Sequence, residues 1–431
     1  MPRRITSRDN GTPAPFTSLA PRLPPELTDM IIDYLHDHKS ALQTCSLTCK
    51  GWLNSSRHHL FDGLYVPHVY QRPFTAFADF LHKAPHIARH IRRLTLVGND
   101  REEFMMFFGR RDLRDRFQLT MRFMSSLLSN LPNLQSLTLR SIRLAGAFST
   151  PLTPRKLQHL AVTDAGTNTD SVDGLLAFLG LFSEISSLEL SSINSNLRSL
   201  TEVEREKRLR TVKIPENLQV RTLRLSLMEP LVASLCDIFR QTQAIQTLTC
   251  VDVPWEIWEE VLAVGLVLRD AGPQIQTVEF NPLGPIMHRG WVGQPITPEE
   301  WKVLNLDHCT NLTHLVFRME IEDDSEEPEL NLTLCNATLD ILSLAPPSLE
   351  KVSFRFRIFG RGEELLKDPV NMDWERVEKV LCRIKRLKDV LVTFKDGTNS
   401  SPEALKNCHL VVEERLPKIK EKKILSIQYG T

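Results

Sequence analysis

Leu134-Gln-Ser-Leu137-Thr-Leu139 is the stretch that decides the fold, because its last two leucines stand two apart, the strand period that puts both side chains on one face. The same spacing, apolar, two polar, apolar, polar, apolar, occurs as Ile91-Arg-Arg-Leu94-Thr-Leu96 and Leu157-Gln-His-Leu160-Ala-Val162. It returns with Ile185, Leu188 and Leu190, with Val220, Leu223 and Leu225, with Ile245, Leu248 and Cys250, and with Ile275, Val278 and Phe280. The last copies are Leu312, Leu315 and Phe317, then Leu349, Val352 and Phe354, then Leu387, Val390 and Val392, then Ile424, Ile427 and Tyr429. Gly63 to Val66 alternates weakly and reads as a first strand.

Between the copies lie stretches of helical periodicity. Examples are Phe74, Phe77, Ala78 and Leu81, then Phe123, Met124, Leu127, Leu128 and Leu131, then Leu231, Leu235, Ile238 and Phe239. Trp255, Trp258, Val261 and Leu262 form another, and Trp374, Val377, Val380, Leu381 and Ile384 a further one. Strand, helix and strand at spacings of roughly 23 to 43 residues require parallel neighbours joined by right-handed crossovers. Polar residues such as Thr138, Glu189, Arg224 and Ser353 interrupt the strands, which predicts a sheet with one solvated face. The competing architecture, a closed doubly wound α/β sheet, buries both faces and has continuous apolar strands.

The LxxLxL core is similar to a leucine-rich repeat. The spacing is irregular and mostly longer than in the regular type, and the Asn or Cys expected after the strand is usually absent. The resemblance implies an α/β leucine-rich-repeat-like solenoid of parallel strands and outer helices over residues 63–431, without fixing the repeat count.

Ahead of the repeats stands LPPELTDMIIDYLHDHKSALQTCSLTCKGWLNSSRHHLF, residues 23–61. Pro24 and Pro25 suit a first helical turn, and Glu26 and Asp29 favour its positive end. Leu27, Met30, Ile31, Tyr34 and Leu35 form one apolar helical face, opposite Thr28, Asp29, Asp33 and His36. A second apolar run holds Ala41, Leu42, Cys45 and Leu47, and a third helix from about Cys49 carries Trp52, Leu53, Leu60 and Phe61. A unit of roughly 40 residues is marginal without staples or a partner, so a partner surface is expected.

These residues resemble an F-box: Leu23-Pro24, Glu26-Leu27, Ile31 and Leu35, then Cys45-Ser46-Leu47, Cys49-Lys50 with Trp52, then Arg57, Leu60 and Phe61. The match covers about a tenth of the chain and spans residues 21–62. It implies a small all-α unit of three helices that docks the Skp adaptor and, through it, the cullin of an SCF ubiquitin ligase. The positions carried over for docking are Leu23, Pro24, Leu27, Ile31, Leu35, Leu42, Leu47 and Trp52. Gly51 stands where many members have a bulkier residue, at a helix-propensity cost of roughly 1 kcal/mol. Cys45 and Cys49 stand i, i+4 near His36, His38, His58 and His59, but no paired metal-ligand spacing completes a site, and both are read as packing cysteines.

The 431 residues are 42% hydrophobic and 25% charged, the globular range, and Lys plus Arg equals Asp plus Glu at 53 each. That balance gives no reason to expect nucleic acid or an anionic membrane as partner. Eight scattered cysteines read as reduced thiols of a cytosolic or nuclear protein. Residues 1–20 lack an apolar signal core and read as a disordered leader, and the most apolar run, Val261 to Leu268, is far too short to span a membrane.

Four inserts break the rhythm: mixed-charge residues 110–116 and 202–210, a Gly- and Pro-rich connection at 281–298, and the acidic run Glu320 to Glu329. The acidic run reads as a mobile loop, with Ser325 a phosphorylation candidate. The basic residues from Lys418 to Lys423 precede the final strand and are read as balancing the chain end. No phosphate-cradling glycine loop, nucleophile elbow or Cys/His nucleophile pattern is present, and His308-Cys309 is a chance neighbour pair. No cofactor and no catalysis are expected. The expectation is a substrate-recruiting subunit of an SCF-type ligase, with an unidentified protein substrate on the solenoid. The alternatives are an F-box and repeat scaffold outside ubiquitin transfer, or an enzyme whose site the sequence does not display.

Overall fold

Leucine and valine pairs two apart, repeated along the chain, give a sheet with a single apolar face, and the computed structural model arranges them in chain order. It describes residues 23–68, 74–98, 118–145, 153–164, 166–167, 173–193, 217–226, 231–255, 258–282, 296–322, 329–359, 362–369, 371–396 and 402–429. The chain divides into two compact units between Asp62 and Gly63.

The strands of the second unit are β1 (Gly63–Pro67), β2 (Arg93–Val97), β3 (Gln118–Thr120), β4 (Ser136–Arg140), β5 (Arg143–Ala145), β6 (Arg155–Thr163), β7 (Gly166–Thr167), β8 (Phe182–Ser191), β9 (Gln219–Ser226), β10 (Cys250–Trp255), β11 (Thr277–Pro282), β12 (His314–Glu322), β13 (Lys351–Phe359), β14 (Asp389–Asp396) and β15 (Leu425–Tyr429). Twelve of them form one sheet in the order β1-β2-β4-β6-β8-β9-β10-β11-β12-β13-β14-β15. Every pairing in this sheet is parallel, and the order never reverses, as it does at the switch point of a doubly wound sheet. β3, β5 and β7 make a separate small parallel sheet that the LxxLxL spacing does not predict.

One ladder shows why the pattern folds this way. Leu64, Leu94, Leu137, Leu160, Leu188, Leu223, Val251, Val278, Leu315, Val352, Val390 and Leu425 are register partners from the first strand to the last. Between Leu94 and Val390 each of them is buried. Towards the C-terminal end the next apolar row becomes aromatic, and Phe280, Phe317 and Phe354 stack ring on ring at 5.6 and 5.9 Å. The helices cover this face, as where Trp374 of the helix Trp374–Arg383 meets Phe356.

A second recurring device follows the strands. Ser141, Asp164 and Ser192 stand just after β4, β6 and β8 with φ of 53°, 51° and 51°. Each donates its N–H to the last carbonyl of the next strand, Thr163, Ser191 and Ser226 respectively, at 3.0 Å. Gly98, after β2, does the same to Arg140 at 2.8 Å. A Cβ on Gly98 would lie 1.9 Å from the Ser141 carbonyl oxygen, so only glycine fits there.

Three expectations about element boundaries need correction. The copy at Ile245, Leu248 and Cys250 is displaced by three residues: Ala244–Thr247 is a short helix, and the inward pair of β10 is Val251 and Val253, since Val251 pairs Leu223. Trp255 ends that strand and does not open the following helix, which is Trp258–Ala271. The acidic run does not begin as a loop, because Glu320, Ile321 and Glu322 belong to β12 and Ile321 is buried. Its residues 323–328, together with 1–20, 110–116, 202–210 and 283–295, lie outside the described residues.

The first unit contains α1 (Pro25–Tyr34), α2 (Lys39–Thr48) and α3 (Lys50–Asp62). Its small core is Ile32 of α1 with Leu42 and Cys45 of α2.

Candidate docking face on the front helices

α1 is turned the opposite way from an ordinary amphipathic helix of a small domain. Its buried positions are Thr28 and Ile32, one turn apart. On the flank beside them, Asp29 accepts a hydrogen bond from the Ser55 hydroxyl, and Asp33 meets the His59 ring at 2.7 Å. These two side-chain contacts hold α1 on α3. The apolar stripe is left outside, where Leu27, Met30, Ile31 and Tyr34 are all exposed, Met30 at 65% and Tyr34 at 84%. With Leu23 and Leu35 they line a shallow cleft of about 410 Å³ whose walls are almost wholly apolar. Leu47, near the end of α2, is 86% exposed.

The eight carried-over positions divide accordingly. Leu23, Pro24, Leu27, Ile31 and Leu47 present surface, and Leu35 and Trp52 are half-buried. Leu42 has no exposed surface and is core, so it offers a partner nothing to touch. Met30 and Tyr34, outside that set, carry more exposed apolar surface on α1 than any of its carried-over positions. The helical periodicity had grouped them with Leu27 and Ile31, so the signal was in the stripe itself. Of the two cysteines read as packing residues, Cys45 is buried and Cys49 is exposed.

Among the described residues no group of three or more His, Cys, Asp or Glu side chains is placed to hold a metal. Cys309 is buried, its Sγ lies 3.7 Å from the Leu268 carbonyl, and burial pushes its thiol up to about 12, which is the reverse of an activated nucleophile. All eight cysteines are free. Among the described residues no helix is long and apolar enough to cross a membrane. No known protein family matches the chain, and no curated protein does.

Proposed function

We propose that the chain is a substrate-recruiting subunit of an SCF-type ubiquitin ligase, working in the cytosol or nucleus without catalysis of its own. The first unit is read as an F-box that docks a Skp-type adaptor and, through it, a cullin. The second is read as a leucine-rich-repeat-like solenoid that holds a protein substrate. One observation carries the reading: α1 uses its aspartates to fasten itself to α3 and leaves Leu27, Met30, Ile31 and Tyr34 to the outside. A chain that stayed alone would gain by turning that stripe inward, because each apolar side chain taken from water contributes about 1.5–3 kcal/mol. A contiguous apolar patch of this kind marks an interaction site. Transfer would then follow from proximity, the tethered substrate meeting the charged conjugating enzyme at raised effective concentration.

The test is co-purification of the intact chain beside a Leu27→Asp/Ile31→Asp variant. Wild type is expected to bring down a Skp-type adaptor together with a cullin, and the variant neither, since a docked carboxylate would be buried without a partner. Recovery of neither protein with wild type would refute the assignment, equal recovery with both chains would refute docking through the α1 stripe, and adaptor without cullin would make the protein a scaffold.

A further inference from the structure

The sheet face opposite the leucine ladder was expected to be solvated, yet around β10 to β13 it is closed. Asp252, Glu279, Val316 and Ser353 occupy it as successive register partners, and all four are buried. The cover comes from the sheet's own arginines. Arg355 of β13 reaches over β12 to Glu279 of β11, Nη1 to Oε1 at 2.5 Å. Arg318 of β12 reaches over β11 to Asp252 of β10, Nη2 to Oδ2 at 3.0 Å, and its Nε also bonds Glu279. Arg224 of β9 brings its Nε within 3.4 Å of Asp252 from the other side. Ser353 is held by the His314 ring at 2.8 Å.

Seating two carboxylates side by side in a sheet interior is a poor way to gain stability, because desolvation consumes much of what pairing returns and apolar residues of similar size would serve as well. What the arrangement achieves is rigidity in the arginines. The Arg318 and Arg355 forks are hydrogen-bonded to buried carboxylates and Arg224 is ion-paired with one, while 36–43% of each side chain remains open to solvent. The bonds described use only part of the N–H donor set, so a planar fork stands ready for a second anion. Arg357 and Lys395 extend the cationic edge on the following strand positions, with Glu320 against Arg357 at 3.2 Å. The neighbouring strands present Thr163, Ser191 and Ser226 on the same face, small hydroxyls that can bond an extended backbone.

We propose that this arginine row is a binding site for an extended protein segment bearing clustered negative charge, as carboxylates or phosphates. The site goes beyond the docking role of the front unit and uses none of its residues. Arg224, Arg318, Arg355, Arg357 and Lys395 against Glu189, Asp252, Glu279 and Glu320 leave one net positive charge, enough for a local acidic cluster and far short of the continuous basic track that a nucleic-acid backbone needs.

The experiment is fluorescence anisotropy of the full chain with four labelled probes: a Glu-rich peptide, a phosphoserine peptide, the Glu-rich peptide with Gln at every Glu, and a single-stranded oligonucleotide. Wild type is expected to bind at least one of the two anionic peptides and not the Gln peptide, and their ratio tells carboxylate from phosphate. Arg355→Gln should weaken that binding roughly tenfold, as expected for a charge-assisted contact. Arg355→Lys keeps the charge and the fold but loses the planar fork, and should also bind less tightly. The proposal is overturned if neither anionic peptide binds, if Arg355→Lys binds like wild type, or if the oligonucleotide is preferred. Adaptor capture by Arg355→Lys and peptide binding by Leu27→Asp/Ile31→Asp keep this outcome separate from that of the ligase assignment.

Discussion

Met30, Ile32 and Tyr34 lie within five residues of one helix, and their substitution should separate docking from folding. Ile32 is 0% exposed, so Ile32→Ala removes core volume at about 2–5 kcal/mol. In a three-helix unit with only a few kcal/mol to lose, that change should open α1 and α2 to solvent. Met30 and Tyr34 already face water over most of their surface, so Met30→Ala/Tyr34→Ala should leave the unit folded to within about 0.5 kcal/mol. Covering the exposed 65% of Met30 and 84% of Tyr34 with a partner is worth about 3 kcal/mol together, which is a loss of roughly a hundredfold in adaptor affinity when both are truncated. Amide hydrogen exchange over α1 to α3 reads the folding, and calorimetric titration with a Skp-type adaptor reads the docking. The reasoning fails if the double variant binds as wild type does, or if its helices exchange as fast as those of Ile32→Ala.

Two predictions concern the second unit. Burial and the neighbouring Glu279 push Asp252 up to about 6 from an ordinary 3.8, against the pull of Arg318, Arg224 and Arg355. A raised folded-state value means that the stability credited to the protonated acid is fully present below about 4 and lost as pH rises through about 6. Urea unfolding at pH 4 to 7 should therefore show wild type losing stability relative to Asp252→Asn as pH climbs, and a difference that stays level or grows would contradict this. Phe317 stacks between Phe280 and Phe354 with no exposed surface to speak of, so Phe317→Ala should cost about 3–5 kcal/mol in the same assay. A loss below about 1 kcal/mol would mean that the aromatic row is not a packed core.

Much of this architecture could be read from spacing alone. In the main sheet the LxxLxL copies fixed the inward side of nearly every strand, because a period of two leaves little freedom once one face must be buried. The misread copy is instructive. Residues 245–253 contain two overlapping solutions, Ile245 with Leu248 and Cys250, or Leu248 with Val251 and Val253, both apolar at the required spacing. The choice is made by pairing with Leu223 of β9, which no local pattern contains. Between β10 and β13 the second face departs from the solvated reading for a similar reason. Asp252, Glu279 and Ser353 are polar, and polarity in a strand reads as solvent, but arginines from distant strands and His314 lie over them. In α1 the periodicity found the apolar stripe while leaving open which side faces the unit's own core, and Asp29 and Asp33 settle it through Ser55 and His59. The left-handed backbone at Ser141, Asp164 and Ser192 left no sequence signal, since serine and aspartate are common there and elsewhere.

The unreversed strand order also governs how the large unit would respond to force. In the main sheet each strand bonds only its immediate predecessor and successor, so tension applied at the two ends is carried in series through single interfaces. Every interface in such a series bears the same load, so the sheet parts first at its weakest row, and the rows locked by arginine pairs and stacked rings are placed to outlast the others.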